Sequence, residues 1–447
     1  MQSTYYNEPA RDVPVVEHTD VMVAGGGPAG VAAAIAAART GARVRLLETH
    51  GSLGGVWTSS LLCWILDKDN KPGVMQEILA GLDAADARNQ SNAYDPEVMK
   101  HLLERMCLEA GVDVRLHTRV CAAARDSENR LAVVLTESKS GREAWAAKVF
   151  VDATGDGDLA AEAGCGFDLG RDAAGEAQPM SLMCLVAGLR YDELNARRLC
   201  RGGNVSKSEA KRALAAEMAR HGLSPSYADP TLFPVRDDLF GVMVNHEYGV
   251  SALDAQQITE ATLRARAELH HIISTLRHTG DIWRDARIIA TAEQIGVREA
   301  RRIHGRYTVS TEDLVQGQRH DDAVCRVTFG IDVHATNPAR AGTKAVEHLP
   351  FKSQPYDIPY RALLARDVDG LLLAGRCISG DFIAHSSYRV TGNAVAMGEA
   401  AGVAAAVSVQ QNQLPHQLDW GAQIKCALHR YRLHSSGKSS GHAACGQ

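Results

Sequence analysis

The chain has 447 residues, of which 45% are hydrophobic and 23% are charged, as in an ordinary globular protein. This composition excludes a mainly disordered, collagen-like or disulfide-framework protein. The formal net charge is −5 and lysine and arginine never occur in runs longer than a pair, which argues against nucleic-acid binding.

The cysteines and the apolar segments predict a cytoplasmic protein without a metal site or a membrane span. The 10 cysteines are scattered and form no C-x-x-C pair, so neither zinc nor iron–sulfur spacing is present. Residues 1–20 are polar and lack the pattern of a signal peptide. Glycines and a proline interrupt the apolar stretch 21–38 early, which argues against a membrane helix.

In chain order, the first elements form a strand–turn–helix–strand unit. Val21–Ala24 is a short apolar run bounded by glycines, as expected of a buried parallel strand. An alanine-rich helix is predicted from Pro28 to Thr40, followed by a second buried strand, Val44–Leu47. This order is typical of the βαβ unit in a doubly wound sheet.

The turn between this first strand and helix carries a glycine fingerprint that predicts dinucleotide binding. In G-x-G-x-x-G, Gly25 permits the tight turn, Gly27 lets the backbone approach a pyrophosphate, and Gly30 allows close helix–strand packing. Free N–H groups at the helix N-terminus would bind phosphates, and Glu48 would bind ribose hydroxyls. The acid disfavours NADP, and the local sequence is compatible with NAD or FAD. The cofactor-binding residues predicted from this unit are Gly25, Gly27, Pro28, Ala29, Gly30 and Glu48.

The rest of the chain is predicted to place an α+β substrate or cap domain between two parts of the sheet domain. The further sheet-domain elements predicted are a helix at Glu97–Glu109, strands at Val112–Val120, Leu131–Thr136, Ala144–Val151 and Leu371–Ala374, and a small-residue helix at Ala394–Val409. The predicted cap elements are charged helices at Lys207–His221 and Ala255–Thr279 and a strand at Leu239–Tyr248. The predicted boundaries are 1–171 and 282–434 for the sheet domain, 172–281 for the cap, and 435–447 for a disordered tail.

Two further motifs, a glycine pair and a strand that ends in a small-residue turn, make a resemblance to a known family specific. The chain resembles the glutathione-reductase-type FAD flavoproteins, and most closely the family of FAD-dependent oxidoreductases. That family carries a G-G pair after the ribose acid, a V-D-A-T-G-D-G-D-like strand, a G-V-R-E-x-R-R-I segment and a terminal L-L-x-A-G-R block. Within a similarity that spans about Asp20 to Ala406, the matching residues are Gly54-Gly55, Val151–Asp158, Gly296–Ile303 and Leu371–Arg376.

This resemblance implies that FAD binds in an extended form across the sheet domain. Its adenosine half would lie on the first βαβ unit and on the backbone near Val120. The second motif and the C-terminal block would follow the ribityl chain and the pyrophosphate, and the residues after the glycine pair would touch the isoalloxazine. The contacts implied in this way are Gly54, Gly55, Trp57, Thr58, Val120, Thr154, Gly155, Gly375 and Arg376.

The segment Arg389–Ala394 resembles the R-x-G-G-N-A loop of the succinate dehydrogenase/fumarate reductase flavoproteins, which faces the flavin pyrimidine. A helix N-terminus at that place would stabilise negative charge on the reduced flavin. Thr391, Gly392 and Asn393 are therefore predicted to contact FAD. Many relatives have an acid where this chain has Arg376, and Asp381 is predicted to replace it at the ribityl hydroxyls.

Two absent motifs narrow the predicted reaction. The chain has no C-x-x-x-x-C pair after the ribose acid and no second glycine fingerprint between residues 150 and 300. A dedicated nicotinamide domain is therefore not expected. The predicted reaction passes a hydride between flavin N5 and a small hydroxyl- or amine-bearing substrate, and oxygen or a redox protein closes the cycle.

Three residues are the predicted catalytic candidates. Arg389 precedes the flavin-facing loop and could bind a substrate carboxylate in a bidentate manner, and Arg298 could face the same space. His385 lies in a stretch with little helical patterning and could act as the general base. His246 and His334 follow strand-like segments. Either could face the substrate, but a structural role is the default interpretation for both.

Other interpretations stay open at this point. One is an electron-transfer subunit that resembles the flavin-bearing part of heterodisulfide reductases, although the lack of a cysteine cluster counts against it. Another is a flavin monooxygenase, whose use of NAD(P)H has no motif here. A nonenzymatic FAD-binding scaffold is a third, and a homo-oligomer is compatible with all of them.

Overall fold

The computed structural model describes residues 6–88, 92–172, 175–236, 238–341 and 345–435. The predicted tail therefore lies outside the described residues, apart from Ser435 at the end of the last helix. The strands are β1 (Val15–Ala24), β2 (Val44–Leu47), β3 (Asp113–Arg115), β4 (Thr118–Arg125), β5 (Leu131–Ser138), β6 (Gly141–Asp152), β7 (Phe167–Asp168), β8 (Cys184–Ala187), β9 (Thr231–Pro234), β10 (Leu239–Met243), β11 (Arg287–Thr291), β12 (Arg302–Ile303), β13 (Ala323–Val327), β14 (Tyr356–Pro359) and β15 (Leu371–Leu373). The helices are α1 (Pro28–Arg39), α2 (Val74–Ala84), α3 (Pro96–Glu109), α4 (Asp158–Glu162), α5 (Tyr191–Ala196), α6 (Lys207–Arg220), α7 (Ala255–Thr279), α8 (Thr311–Gln316), α9 (Pro338–Ala341), α10 (Phe382–Tyr388), α11 (Thr391–Gln411) and α12 (Cys426–Ser435).

The main sheet has a parallel core whose strands come from both ends of the chain. Its order is β3-β2-β1-β6-β5-β4, and β15 pairs in parallel with the second half of β6. The register aligns Ala24 with Leu47 and with Asp152, and Asp152 with Leu373. The carboxyl ends of four strands therefore meet at one edge, where ligands bind in open α/β sheets. The predicted α/β fold with a Rossmann-like parallel core is confirmed.

Helices α1 and α11 pack closely because small residues line their interface. A Cβ atom on Gly398 would lie 2.0 Å from the Ala29 carbonyl oxygen, and one on Gly402 would lie 2.1 Å from the Ala33 carbonyl oxygen. Only glycine permits this approach of the two backbones. Helix α11 is long and apolar enough to cross a membrane, but 94% of its most apolar window is buried inside the protein. Its apolar character is that of a core helix.

A second, antiparallel sheet lies in the region predicted as the cap. Its strand order is β11-β8-β10-β9, and helix α7 packs against β11. Strand β11 lies beyond the predicted cap boundary at residue 281. The antiparallel sheet therefore contains strands from both sides of that boundary. The domain boundaries themselves stay predictions.

Three segments differ from the sequence-based expectation. The predicted strand Val112–Val120 is two strands, β3 and β4, because His117 between them has a left-handed φ of 54°. The predicted strand Leu239–Tyr248 ends at Met243. The stretch before Arg389 is the helix α10, whose N-terminus is capped by the Asp381 side chain.

Candidate functional site

A cavity of about 470 Å³ opens at the carboxyl edge of the main sheet and reaches the antiparallel sheet and α6. That size lies within the range of ligand and cofactor sites in proteins. The predicted site residues that line it are Gly25, Gly27, Pro28, Ala29, Glu48, Gly55, Val120, Thr154, Gly155, Arg298, Gly375, Arg376, Arg389 and Thr391.

The three fingerprint glycines have different surroundings. Gly25 has a φ of 94°, and a Cβ atom on Gly30 would lie 1.7 Å from the Gly25 carbonyl oxygen, so both positions require glycine for packing. Gly27 differs, because a Cβ atom there would meet nothing within 4 Å. Gly27 therefore leaves open space beside the N-terminus of α1, where a phosphate group can approach the backbone.

Glu48 lies at the end of β2 with its carboxylate held by the backbone. Its Oε2 accepts a hydrogen bond from the Gly26 N–H at 2.6 Å, and its Oε1 accepts one from the His50 N–H at 2.8 Å. Each carboxylate oxygen can accept more than one hydrogen bond, so the oriented group still has capacity for ribose hydroxyls.

The turn that follows β6 also lines the cavity, beside Gly25. Asp152 is fully buried and accepts hydrogen bonds from the Thr154 backbone and hydroxyl and from the Ala160 N–H, which hold the turn in place. Burial raises the pKa of Asp152 to about 6. Asp156 pairs with Arg376 at 2.5 Å. Arg376 therefore interacts with an acid from this turn, a partner that the sequence analysis did not identify.

The N-terminus of α11 forms a further part of the wall, through Val390, Thr391 and Ala394. Helix α11 has no side-chain cap at its N-terminus, and neither has α1. The Thr391 hydroxyl has no hydrogen-bond partner among the described residues. Two helix N-termini thus direct positive dipole ends and free donors at one cavity. Together with the open space at Gly27, these groups fit the pyrophosphate and the flavin of FAD.

Some predicted site residues do not line the cavity. They are Gly30, Gly54, Trp57, Thr58, Asp381, His385, Gly392 and Asn393. Trp57 is fully buried in the core, and the Thr58 hydroxyl donates to the Leu53 carbonyl oxygen. The Asp381 carboxylate accepts hydrogen bonds from Ala384 and Thr311 and is thereby occupied at the start of α10.

His385, the predicted general base, is 1% exposed inside α10 and does not line the cavity. Burial and the nearby Arg389 hold the pKa of its imidazole well below the usual range. Its placement does not support direct contact with a substrate. The helical structure of this stretch, which its sequence pattern did not indicate, is the reason.

The end of the cavity away from Glu48 contains two partly buried arginines. Arg298 donates to the Pro179 carbonyl oxygen at 2.6 Å and to the Ser181 hydroxyl at 2.9 Å. Arg389 donates to the Asp332 carbonyl oxygen at 3.0 Å, and its guanidinium lies 3.5 Å from the carboxylate of the same residue. Burial and the proximity of Arg389 lower the pKa of Arg298 to about 10. The two cations remain charged at neutral pH.

His334, for which a structural role was the default interpretation, lines the cavity beside these arginines. Its Nε2 lies 3.3 Å from the Asp332 carboxylate, while its Nδ1 is buried without a hydrogen-bond partner among the described residues. With the proton assigned to Nε2, Nδ1 presents a lone pair. Burial and Arg298 lower the pKa of His334 to about 4, so the ring is neutral at pH 7.

Sequence reasoning missed several other lining residues. Asp332, Tyr227, Lys207 and Lys211 belong to no motif, and each lies on a segment far along the chain from the glycine fingerprint. For the residues at this end of the cavity, the sequence offered one indication, which was the position of His334 after a strand-like segment. Among the residues that the structure describes, no group of histidine, cysteine and acidic side chains is arranged to hold a metal ion.

Comparisons with known proteins agree with the cofactor site. The model of the family described as FAD dependent oxidoreductase matches residues 20–428. No curated protein matches the chain.

Solved structures with a similar arrangement include a geranylgeranyl bacteriochlorophyll reductase-like protein from Thermoplasma acidophilum, with 13% identity, 94% of this chain and 84% of that chain covered, and a TM-score of 0.47. The flavin-dependent brominase Bmp2 has 14% identity, coverage of 94% and 84%, and a TM-score of 0.46. The p-nitrophenol 4-monooxygenase of Pseudomonas putida DLL-E4 has 14% identity, coverage of 96% and 91%, and a TM-score of 0.46. Similarity this distant assigns no reaction to the present chain.

Proposed function

Because this chain belongs to the FAD dependent oxidoreductase family, with FAD as its cofactor, we propose that it passes a hydride between FAD and a small anionic substrate. The substrate carries a hydroxyl or amine group on the carbon that is oxidised. The observation that carries this proposal is the grouping of Arg298, Arg389 and His334 at one end of the cavity.

The arginines favour a carboxylate because Arg298 forms no salt bridge with an acidic side chain among the described residues, although Asp332 lies near enough to offset part of the fall in its pKa that burial causes. Its side chain donates hydrogen bonds to the Pro179 carbonyl oxygen, the Ser181 hydroxyl and the sulfur of Met243. A partly buried guanidinium without a salt-bridge partner is costly, and a substrate carboxylate would supply the missing charge in bidentate geometry. Arg389, held by Asp332 and Gln178, would contribute a second cation to the same group.

His334 is the residue best suited to take the proton from the substrate hydroxyl or amine. The Asp332 carboxylate orients the ring, and the Gln178 side chain accepts a hydrogen bond from the His334 backbone N–H at 3.0 Å. The free Nδ1 can accept the proton while the hydride leaves the adjacent carbon. FAD supplies the hydride acceptor when it is bound.

The test is an anaerobic screen in which the bound flavin bleaches when a substrate reduces it. Hydroxy acids and amino acids are expected to bleach it, while the matched alcohols and amines that lack the carboxylate are not. The variant Arg389→Met should retain FAD and raise KM for the carboxylate substrate by tenfold or more, because a charge-assisted hydrogen bond contributes about 1.5–3 kcal/mol.

Other outcomes of this screen contradict the proposal. Bleaching by NAD(P)H alone, followed by hydroxylation of an added compound in air, would indicate a monooxygenase. Bleaching only by a reduced protein partner would indicate an electron-transfer subunit. If Arg389→Met reacts with the true substrate as the wild-type protein does, the arginine does not bind the carboxylate.

A further inference from the structure

The substrate end of the cavity carries more positive charge than one carboxylate requires. Lys207 and Lys211 of α6 line it together with the two arginines, and Asp332 is the acidic residue lining this end. The Asp332 carboxylate is already engaged by His334 at 3.3 Å and by Arg389 at 3.5 Å. The lysine side chains are therefore not balanced by this acid.

Lys211 is the more enclosed of the two lysines. Its side chain is 14% exposed, and its Nζ lies 3.3 Å from the Tyr227 hydroxyl and 3.5 Å from the Asp229 carboxylate. The Tyr227 ring lies 6.0 Å from the His334 ring and also lines the cavity. Tyr227 thus separates a second cationic region from the proposed catalytic histidine. Burial lowers the pKa of Lys211, a cost that a bound anion would offset.

A smaller cavity of about 30 Å³ adjoins this region and shares Lys207, Lys211, Thr231 and Phe233 with the main cavity. Arg201 lines the smaller cavity and lies 5.6 Å from the centre of the Trp64 ring. The space beside the two lysines is therefore bounded by a third cation. A ligand group that entered it would meet lysine ammonium groups as point-charge donors.

We infer that the substrate carries a second anionic group, a carboxylate or a phosphate, which Lys207 and Lys211 bind while its first carboxylate lies at Arg298 and Arg389. The inference rests on the proposed function and specifies its substrate class as a dianion. A monoanion would leave Lys207 without a ligand anion and Lys211 with only its Asp229 carboxylate, so the two classes of ligand should differ in affinity.

The test compares ligands of matched length on the FAD-loaded protein by titration calorimetry. Glutarate and 3-phosphonopropionate carry a second anionic group, and butyrate does not. At least one dianion is expected to bind tenfold or more tightly than butyrate, and the better of the two identifies the second group. Added salt should weaken binding of the dianion more than that of butyrate.

Lysine variants locate the second group. Lys211→Met and Lys207→Met should each reduce the advantage of the dianion, and the double variant should remove it. Arg212→Met is the matched control, because Arg212 lies on the same helix, is exposed and does not line the cavity. Arg298→Met should weaken dianion and monoanion alike.

The other outcomes of these binding measurements contradict either the second anionic group alone or the proposed function as well. If the dianions bind no more tightly than butyrate, or if the double lysine variant keeps their advantage, the second anionic group is wrong and the proposed function stands. If none of the three ligands binds, both claims fail.

Discussion

At the scale of single residues, the imidazole environments support His334 rather than His385 as the proposed base. His334 and His385 are both buried and both have a lowered pKa, but only His334 lines the cavity. A neutral imidazole with an unpaired Nδ1 is already in the form that a base requires. Sequence patterning could not separate the two, since neither lies in a motif that determines its surroundings.

The first prediction concerns the pH dependence of His334. Its pKa of about 4 lies below the ordinary value of 6.5, because burial and Arg298 both disfavour the charged ring. Activity that needs the neutral ring should be constant near pH 7 and fall as the pH drops through about 4. In Arg298→Met the cation is absent, so the pKa of His334 should rise toward its ordinary value.

Proton NMR titration of the histidine C2–H signals measures this shift without relying on turnover. His334→Gln assigns the signal, since that variant lacks it. If the signal titrates at the same pH with and without the guanidinium, Arg298 does not act on His334.

At the scale of elements, the close packing of α1 on α11 holds two helix N-termini at the cavity. The small residues that make this approach possible are visible in the sequence as alanine- and glycine-rich segments. That these two helices pack on each other, although they lie at opposite ends of the chain, follows from the pairing of β15 with β6.

A second prediction follows for Gly402. In Gly402→Ala, the new Cβ atom would lie 2.1 Å from the Ala33 carbonyl oxygen, a backbone atom that cannot rotate away. We expect the free energy of unfolding to fall by about 1–3 kcal/mol, as for overpacked cores. Urea denaturation of the FAD-free protein measures it.

Gly421→Ala is the control for this substitution, because the nearest atom to its Cβ would be the Asp419 side-chain oxygen at an ordinary 3.5 Å. Its stability should be unchanged or slightly higher, since alanine restricts the unfolded chain. Equal stability of the two variants would show that the helix interface can relax.

At the scale of the whole molecule, the cavity joins parts of the chain from Gly25 to Ala394. A ligand that binds only this folded arrangement stabilises all of them together. FAD at 100 times its Kd should therefore raise the free energy of unfolding by about 2.7 kcal/mol. Thermal unfolding of the apoprotein with increasing FAD measures this prediction.

Gly27→Val provides the matched comparison. Gly27 has a φ of −70°, which valine also adopts, and its Cβ would enter open space, so the apoprotein should unfold as the wild type does. The valine side chain would block the approach of the pyrophosphate, and FAD should no longer raise the Tm. A full FAD-induced shift in this variant would contradict the role of Gly27.

The sequence by itself determined the parallel core, its glycine fingerprint and the acid at Glu48. It could do so because buried strands, tight turns and helix starts depend on a few adjacent residues. The family motifs added Arg298 and Arg389 to the predicted site residues, and both of these arginines line the cavity. The sequence did not predict the break between β3 and β4 at His117 or the helix around His385, because the hydrophobic periodicity of these segments is weak.

Only the tertiary structure decided what surrounds the substrate. It brought Arg298, His334, Lys211 and Arg389 to one end of the cavity and left His385 outside. Whether a side chain faces a shared cavity depends on how distant elements pack, and no local pattern records that packing. The cofactor could therefore be predicted from motifs of adjacent residues. The charge and shape of the proposed substrate site depend instead on contacts between segments that are far apart in the chain.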